Sequence, residues 1–362
     1  MPFADRMPGN LTGCRGDGMT RDDTPTLLPP AERARVTIAE VASLAGVSPT
    51  TVSHVLSGKR LVGEATKGTV QEAIRKLGYR PNAIARSLRT NRSKMVAAMV
   101  PDITNPFFAV LTRGLADAVD GAGYGTYVCN TDGNTEREVA FTEDVLDRGV
   151  DGIVMASVDV SMRVSAGPAA LGTPIVCVGG MVDHPQVDLV AVDEGVGSYA
   201  ATRHLLQQGR RRIAMIQGPA ESGSARDEGY RRALAEAGIE CDRSLMVRGD
   251  WTRPGGRLAM QQLLDAAERP DAVFCANDLT AIGALDTMRE AGMTIPRDVA
   301  VVGFDDVDAA TIVSPALTTI RNPAYETGMA AGELLLGRML GHYNDVGRTV
   351  ILPCPLVQRQ SA

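Results

Sequence analysis

From Met95 onward the chain alternates between short apolar runs and longer helical patterns, an arrangement that few folds can accommodate. A first set of five apolar runs ends near Asp193, and a second set of four follows it. Apolar strands separated by helical patterns of roughly ten to fifteen residues predict parallel sheets covered by helices on both faces. Because each set spans about a hundred residues, we predict an α/β body made of two similar lobes.

The segment 37–58, TIAEVASLAGVSPTTVSHVLSG, predicts two short helices joined by a sharp turn. Thr37 and Glu40 have the spacing of a capping box, and Gly46 suits the left-handed position that ends a helix. A serine–proline pair then supplies an N-cap with proline at the first helical position. The pattern predicts a helix-turn-helix whose second helix enters the DNA major groove, and an ordinary helical hairpin on an enzyme is the alternative.

The charge is distributed unevenly along the chain. Residues 31–94 carry twelve basic and four acidic side chains, a net charge of +8, although the whole chain carries −6. The remaining residues therefore carry −14. A basic module ahead of an acidic body is the electrostatic pattern of a protein that binds nucleic acid.

The N-terminal part of the chain divides into three segments. Residues 1–35 are rich in Gly, Pro, Asp and Arg without periodicity and predict a disordered leader, with Met19 as an alternative start. Residues 36–80 predict the DNA-binding head, which a third helix over about 64–77 completes. Residues 81–94 predict a hinge helix and linker, in which the short helix is ordered only against DNA and a partner copy.

The composition, with 44% hydrophobic and 22% charged residues among 362, is that of a soluble globular protein. No apolar run reaches the ~18 residues that span a bilayer, so we expect no membrane association. The N-terminus has no basic segment followed by an apolar one, which predicts a cytoplasmic protein without a secretory signal. The six cysteines lack the close spacing of a metal site or a disulfide framework, and we expect neither metal nor cofactor.

The loops that follow the predicted strands have a common composition. Ligands of open parallel sheets bind beyond the carboxyl ends of the strands, and these loops are rich in Asn, Asp, Arg and aromatic residues that suit a hydroxylated ring. A single Asn or Asp is more often a turn or N-cap residue, so the prediction depends on several loops sharing one edge. The loops are 101–108, 130–134, 222–226, 249–251, 276–278 and 304–306.

The sequence contains none of the common signatures of catalysis. There is no G-x-x-x-x-G-K-[ST] loop, no H-E-x-x-H motif and no G-x-S-x-G motif. The glycine-rich run 121–125 precedes a predicted strand, which is the wrong order for a dinucleotide-binding fingerprint. The four histidines are dispersed. We therefore expect a binding protein and not an enzyme.

Along the chain lie, in this order, the motifs TIAEVASLAGVSPTTVSHVL, LGYRPNAIARSLR, PDITNPFF, DAVFCANDLTAIGAL and IPRDVAVVGFDD. With these motifs the chain resembles the lac repressor/gal repressor family of bacterial transcription regulators from residue 37 to about residue 360. The resemblance implies a repressor that binds a roughly palindromic operator as a homodimer. It also implies two Rossmann-like lobes of periplasmic-binding-protein type that hold a small effector, a sugar or sugar derivative.

The same resemblance sets the expected limits of the lobes. It implies an N-lobe of about 95–193 plus 323–349 and a C-lobe of about 194–322 plus 350–362 within a body that spans 95–362. The absence of a leucine heptad near the end predicts a dimer and not a tail-linked tetramer. The effector could either induce or corepress, and it could be a nucleoside in place of a sugar. The alternative function is a sugar-binding solute receptor without a DNA role.

The resemblance also implies roles for individual residues. Pro49, Thr50, Ser53 and His54 would face the bases, and Leu88 matches the leucine that wedges into the minor groove at the operator centre. The full set predicted to bind DNA is Thr37, Ser48, Pro49, Thr50, Thr51, Ser53, His54, Asn82, Ala85 and Leu88. The set predicted to bind the effector is Asp102, Phe107, Asp132, Arg226, Trp251, Asn277 and Asp305.

Four positions depart from the family pattern. His54 stands where Arg is common and lacks its bidentate fork, which predicts an altered base at that point of the operator. Pro49 offers only apolar contact, for instance to a thymine methyl group. Gly63 and Gly68 replace an N-cap serine and a helix-forming residue, and glycine at Gly68 costs about 1 kcal/mol relative to alanine. We therefore expect a head that is less stable without DNA than the heads of its relatives.

Overall fold

The computed structural model divides the chain into a head that ends at Asn82 and a body that begins at Ala83. The structure describes residues 36–58, 60–80, 87, 90, 92–156, 172–180, 184–219, 224–343 and 346–362. The predicted leader and the predicted hinge residues Asn82, Ala85 and Leu88 lie outside the described residues.

The head is built from three helices, α1 (Ile38–Ala45), α2 (Pro49–Ser57) and α3 (Glu64–Leu77). Their apolar faces meet in a small buried core made of Val41, Ala42, Val52, Val70 and Ala73. Partly buried apolar side chains, Val55 and Ile74 among them, pack at the margin of this core. This packing confirms the predicted helix-turn-helix and the predicted third helix.

Side chains at the start of α1 and α2 fix where these helices begin. Thr37 Oγ1 accepts a hydrogen bond from the Glu40 amide at 3.3 Å, and Glu40 Oε2 accepts one from the Thr37 amide at 2.6 Å. This reciprocal pair is the predicted capping box. Gly46, with a φ of 67°, ends α1, and Ser48 Oγ then accepts from the Thr51 amide at 3.1 Å to begin α2.

The start of α3 differs from those of α1 and α2, because no side chain caps it. Gly63 is its N-cap residue and provides no side-chain hydrogen bond. Glu64 in the first turn and Arg75 and Lys76 in the last turn complement the helix dipole. The missing cap and the glycine in its interior are the two features behind the expectation that the head is less stable without DNA than the heads of its relatives, which stays a prediction.

Alanine at position 68 is expected to stabilise the head by about 1 kcal/mol, the difference between glycine and alanine in an exposed helix interior. Gly68 is exposed, and an added β-carbon would meet no heavy atom within 4 Å. Native-state hydrogen exchange of the α3 amides should therefore slow roughly fivefold. Gly46→Ala is the control, because its φ of 67° makes alanine unfavourable there. An unchanged exchange rate in Gly68→Ala would contradict the prediction.

The body contains two six-stranded sheets. The first consists of β1 (Met95–Val100), β2 (Gly125–Asn130), β3 (Gly152–Met155), β4 (Ile175–Val178), β5 (Asp188–Val192) and β11 (Thr349–Leu352). The second consists of β6 (Ile213–Gln217), β7 (Met246–Arg248), β8 (Ala272–Cys275), β9 (Ala300–Asp305), β10 (Thr318–Arg321) and β12 (Leu356–Val357). Their orders are β11-β5-β4-β3-β1-β2 and β12-β10-β9-β8-β6-β7. Neighbours are parallel except β12, which runs antiparallel to β10.

Helices cover both sheets, and the first sheet with its helices is called the N-lobe, the second the C-lobe. The N-lobe has α4 (Pro106–Asp120), α5 (Thr135–Asp147) and α11 (Ala324–Met339). The C-lobe has α6 (Glu194–Gln207), α7 (Ser224–Glu236), α8 (Arg253–Asp265), α9 (Asp278–Glu290) and α10 (Ala309–Ile312). Among the helices described, none is both long and apolar enough to cross a membrane.

Alternate residues of each central strand enter different buried clusters. In β1, Val96 and Ala98 point into one cluster, whereas Ala97 and Met99 point into another on the opposite face. The C-lobe repeats this pattern along β6. Because both faces are buried, the strands read as continuous apolar runs, which is why the sequence pattern predicted parallel sheets.

Three helix pairs pack so closely that glycine is required at their contacts. A β-carbon at Gly328 of α11 would overlap the Leu111 carbonyl of α4, and one at Gly229 of α7 would overlap the carbonyl of Gly195 in α6. In the α8–α9 pair, a β-carbon at Gly283 would overlap a backbone carbonyl of α8. The backbones of each pair therefore touch directly, and no larger residue fits without moving them.

The chain passes between the two sheets at three places. These are the connections from β5 to α6, from β10 to α11 and from β11 to β12. Val350 pairs with Val190 of β5 in the N-lobe sheet. The strand 349–352 therefore belongs to the N-lobe sheet, about three residues past the expected boundary near 350, and Val350 and Leu352 pack on the N-lobe core.

Candidate nucleic-acid interface and ligand site

The exposed face of α2 carries the residues predicted to read DNA. Val52 of α2 is fully buried. In the same helix, Pro49 and Thr50 are exposed, and Ser53 and His54 are half-buried. This orientation leaves one polar face of α2 on the surface of the head. Base contacts by these residues stay a prediction.

Three other residues of the predicted DNA set serve the helix starts. Thr37 is engaged in the capping box of α1. Ser48 accepts from the Thr51 amide, and the two hydroxyl groups of Ser48 and Thr51 are 2.9 Å apart. These side chains therefore fix the starts of the two helices, and their contact with DNA stays a prediction.

At the carboxyl edge of the C-lobe sheet, the structure brings together Arg226, Trp251, Asn277 and Asp305. Arg226 lies near the start of α7 with only 7% of its surface exposed. Its guanidinium group stacks 3.9 Å from the centre of the Phe304 ring and 5.2 Å from that of Trp251. Such cation–π contacts orient the guanidinium plane and favour Arg over Lys.

Two protein groups bind the guanidinium of Arg226. Its Nη2 donates to Glu194 Oε1 at 2.8 Å, and its Nη1 donates to the Ala276 carbonyl. Its Nε–H is buried and has no hydrogen-bond partner among the described residues. The Arg226 side chain is therefore rigidly held, and its Nε–H is available to a ligand acceptor.

Trp251 is held in a strained conformation beside this arginine. Its φ is 67°, which is unfavourable for a large side chain, and its ring covers Gly218 so closely that a β-carbon there would overlap it. Its buried Nε1–H has no partner in the described part of the chain. The site thus contains a second unpaired donor.

Asn277 organises the site through its own hydrogen bonds. Its Oδ1 caps α9 by accepting from the Thr280 amide at 2.9 Å, and its Nδ2 donates to the Trp251 carbonyl at 2.9 Å. The N-cap role that single Asn residues commonly have is therefore present here. Asn277 positions Trp251, and its predicted contact with an effector stays a prediction.

Asp305 ends β9 in an unusual backbone conformation, with a φ of 113°. Its side chain is buried, and Oδ1 accepts from Asn322 Nδ2 at 3.4 Å. Burial raises the pKa of Asp305 to about 7, an effect that Arg226 and Asn322 partly offset. Strain and a perturbed pKa at a strand end are common at binding sites.

A second buried carboxylate lies close to Asp305. Asp278, at the start of α9, accepts from the Val307 amide at 2.9 Å and from Thr319 Oγ1 at 2.6 Å. Burial, and then the nearby Asp305, raise the pKa of Asp278 well above its usual value. Asp278 therefore ties α9 to the neighbouring strand loops.

The predicted N-lobe residues have local partners. Asp102 Oδ1 accepts from the amide and hydroxyl of Thr104, at 2.8 and 2.6 Å, which makes a turn. Asp132 is exposed and forms an ion pair with Arg137. Phe107 packs edge-on against the neighbouring Phe108 ring at 5.2 Å. Among the described residues, none of their hydrogen bonds or ion pairs reaches the Arg226 cluster, so a shared site stays a prediction.

The sequence reasoning missed three residues of the C-lobe cluster. Glu194, Phe304 and Asn322 contact Arg226 or Asp305 and were not named as effector-binding residues, although Phe304 belongs to the predicted ligand loop 304–306. All three lie at or just beyond the carboxyl end of a strand. That position was the available signal, and it would have identified them.

Two family models match the chain. Residues 37–82 match "Bacterial regulatory proteins, lacI family", and residues 93–360 match "Periplasmic binding proteins and sugar binding domain of LacI family". The chain belongs to the LacI family. Membership confirms the resemblance, the fold class and the expectation of a regulator in place of an enzyme.

Curated LacI-family relatives align with nearly their whole length. The HTH-type transcriptional repressor PurR of Photobacterium profundum is 35% identical over 308 residues, which cover 84% of this chain and 92% of the relative. The ribose operon repressor of Escherichia coli is 36% identical over 329 residues, covering 90% of this chain and 99% of the relative. The aligned regions therefore include both the head and the body of this chain.

Solved LacI-family structures agree with this fold. The lac repressor dimer bound to operator and an anti-inducer has a TM-score of 0.81 at 26% identity, covering 90% of this chain and 99% of that one. The regulator CelR in complex with cellobiose has a TM-score of 0.69 at 34% identity, covering 91% and 100%. Both matches include the head and the two-lobed body.

Proposed function

We propose that the protein is a cytoplasmic transcriptional repressor that binds a roughly palindromic operator as a homodimer. A small effector, a sugar or sugar derivative held between the two lobes, sets its operator affinity. The proposal rests on one observation: the chain combines a helix-turn-helix head with a body in which buried donors at the edge of a sheet have no partner among the described residues. In this proposal residues 36–80 are the head, 81–94 the hinge helix, and 95–362 the effector-binding body.

The unpaired donors of the C-lobe suit a hydroxylated ring. An unsatisfied buried donor costs about 1–3 kcal/mol, so Arg226 Nε–H and Trp251 Nε1–H favour a ligand that supplies acceptors. The Asp305 carboxylate would accept hydrogens from hydroxyl groups, and the rings of Trp251 and Phe304 would face the apolar side of the ligand. Ribose and cellobiose, seen with other family members, have this chemistry.

In the head, the reading residues on α2 would enter the major groove. Thr50, Ser53 and His54 provide hydrogen-bonding groups, whereas Pro49 provides apolar contact only. Leu88 would wedge between base pairs in the minor groove and bend the operator. Effector and operator would then be linked by a coupling free energy, so each changes the affinity for the other by the same factor.

Removal of the Leu88 side chain is expected to weaken specific operator binding at least about tenfold, because the kinked complex would lose its apolar wedge. The operator is first selected from random duplex DNA with the purified protein, and fluorescence anisotropy then compares Leu88→Ala and Leu88→Gly with wild type. Leu258→Ala, an exposed leucine in the body, is the control. Unchanged binding by both Leu88 variants would contradict the hinge account, and failure to select any sequence would contradict the proposed function.

A thermal-shift screen against sugars, polyols and nucleosides tests the effector class. A ligand at about 100 times its dissociation constant stabilises the folded protein by about 2.7 kcal/mol. A stabilising ligand that also changes operator affinity supports the proposal. A sugar that binds tightly in a protein with no sequence-specific DNA binding would instead support a solute receptor.

Effector binding is expected to tighten about fivefold between pH 6 and pH 7, because Asp305 must be ionised to accept hydroxyl hydrogens and its pKa is about 7. Above that pKa the gain should level off. The effect on folding has the opposite sign. Asp305 keeps its proton in the native protein up to about pH 7, whereas the unfolded chain releases this proton from about pH 4. The contribution of Asp305 to the free energy of unfolding therefore falls as the pH rises from about 4 to about 7. Calorimetric titrations across this range measure the first effect, and a flat profile would contradict it.

A further inference from the structure

The positive charge of Arg226 in the C-lobe is already paired with a carboxylate of the protein, that of Glu194. Its buried guanidinium donates to Glu194 Oε1 at 2.8 Å and to the Ala276 carbonyl. The Phe304 ring, whose centre lies 3.9 Å from the guanidinium group, covers one of its faces. The buried Nε–H of Arg226 has no partner among the described residues, and a neutral acceptor can satisfy it.

Three acidic groups lie close to Arg226. Glu194, Asp305 and Asp278 all act electrostatically on the guanidinium group. Asp278 has both oxygens occupied by protein donors, whereas Asp305 keeps an oxygen for a ligand. An anionic ligand at Arg226 would therefore lie beside these carboxylates and be repelled by them.

The position of Glu194 is set by the fold and not by a ligand. It is the first residue of α6, directly after the connection from the N-lobe sheet. The preceding Asp193 caps this helix by accepting from the Val196 amide at 2.9 Å. A carboxylate is favoured at a helix N-terminus, so Glu194 presents a negative charge to Arg226 independently of any effector.

We propose that Glu194 sets the charge selectivity of the effector site: by pairing with Arg226, it admits an uncharged polyhydroxylated effector and excludes phosphorylated or carboxylated ones. The inference rests on the proposed effector site and deepens it. An anion would have to compete with Glu194 for the positive charge of Arg226 and remain beside Asp305, whereas a neutral ring needs only unpaired donors and the aromatic faces. Glu194 is thus a specificity-determining residue in the crossing between the lobes.

Inorganic phosphate is a probe that does not depend on knowing the effector. Trp251, the sole tryptophan in the sequence, lies 5.2 Å from the Arg226 guanidinium and reports local binding by its fluorescence. Phosphate bound to the basic head would leave this signal unchanged. Full-length wild type, Glu194→Gln and Glu194→Gln/Arg226→Gln are titrated with phosphate at constant ionic strength. Glu228→Gln, which neutralises an exposed carboxylate on the same helix as Arg226, is the matched control.

Glu194→Gln is expected to bind phosphate at least about tenfold more tightly than wild type, because the arginine charge is then unpaired. The double variant and Glu228→Gln should behave as wild type does. A wild-type response equal to that of Glu194→Gln, or no gain in Glu194→Gln, overturns the proposal. Operator binding by the same samples tests the regulator separately: its loss with the phosphate response intact rejects the proposed function but not the selectivity.

The unmodified protein provides an independent test if Glu194→Gln does not fold. Wild type is titrated with ribose and ribose 5-phosphate, and with glucose and glucose 6-phosphate, again through Trp251 fluorescence. No phosphorylated sugar should bind more tightly than its neutral partner. Tighter binding of either phosphorylated sugar overturns the proposal.

Discussion

Valine at position 328 is expected to destabilise the N-lobe by about 3 kcal/mol, a large fraction of the stability of an ordinary domain. Gly328 lies where α11 touches the α4 backbone, and a β-carbon there would overlap the Leu111 carbonyl. Two rigid backbone segments cannot yield as a flexible side chain would, so the helices must separate and expose apolar surface. Guanidinium denaturation monitored by far-ultraviolet circular dichroism measures the loss.

Gly121→Val is the matched control for this substitution. Gly121 follows α4 in the same lobe, its φ of −58° suits any residue, and an added β-carbon would meet no heavy atom within 4 Å. Its effect should stay within about 0.5 kcal/mol. Equal denaturation midpoints for the two variants would show that the α4–α11 contact is not as close as described.

Asparagine at position 305 is expected to weaken effector binding about a hundredfold, because a hydrogen bond to a buried charged group contributes about 1.5–3 kcal/mol. Asn has nearly the same shape and tolerates a positive φ well, so the fold around the φ of 113° should be retained. The variant should also lose the pH dependence between pH 6 and pH 7. Titration calorimetry with the effector found by screening measures both effects.

The control for Asp305→Asn is Asp308→Asn, three residues further along the chain. Asp308 is exposed and makes no side-chain capping bond at the start of α10. Its substitution should leave affinity and pH dependence unchanged. If Asp305→Asn bound the effector as wild type does, Asp305 would not be the hydroxyl acceptor, and the site would have to be placed elsewhere.

Features that depend on local sequence could be predicted well. The capping box, the left-handed Gly46 and the serine–proline start of α2 all follow from side chains that bond to their own backbone. The alternation of strands and helices follows from burial of both sheet faces. These patterns sufficed to predict the head and the class of the body.

Features that depend on distant parts of the chain could not be predicted in the same way. The pairing of Glu194 with Arg226 joins helices that no local pattern connects. The strained Trp251 is held by Asn277, 26 residues away. The N-lobe was predicted to end at about residue 349, because the apolar sequence of a strand does not indicate which of the two sheets the strand joins. Only the folded arrangement supplies such information.

The glycine contacts of the three helix pairs affect how mutants of this regulator should be sorted in a genetic selection. Replacement of Gly229 or Gly283 would abolish repression as completely as loss of a DNA-reading residue, although neither glycine lies in the head. Such alleles should lower the cellular amount of the protein, whereas alleles at Thr50 or His54 should leave it unchanged. Immunoblotting of each isolate would therefore separate folding mutants from recognition mutants before any affinity is measured.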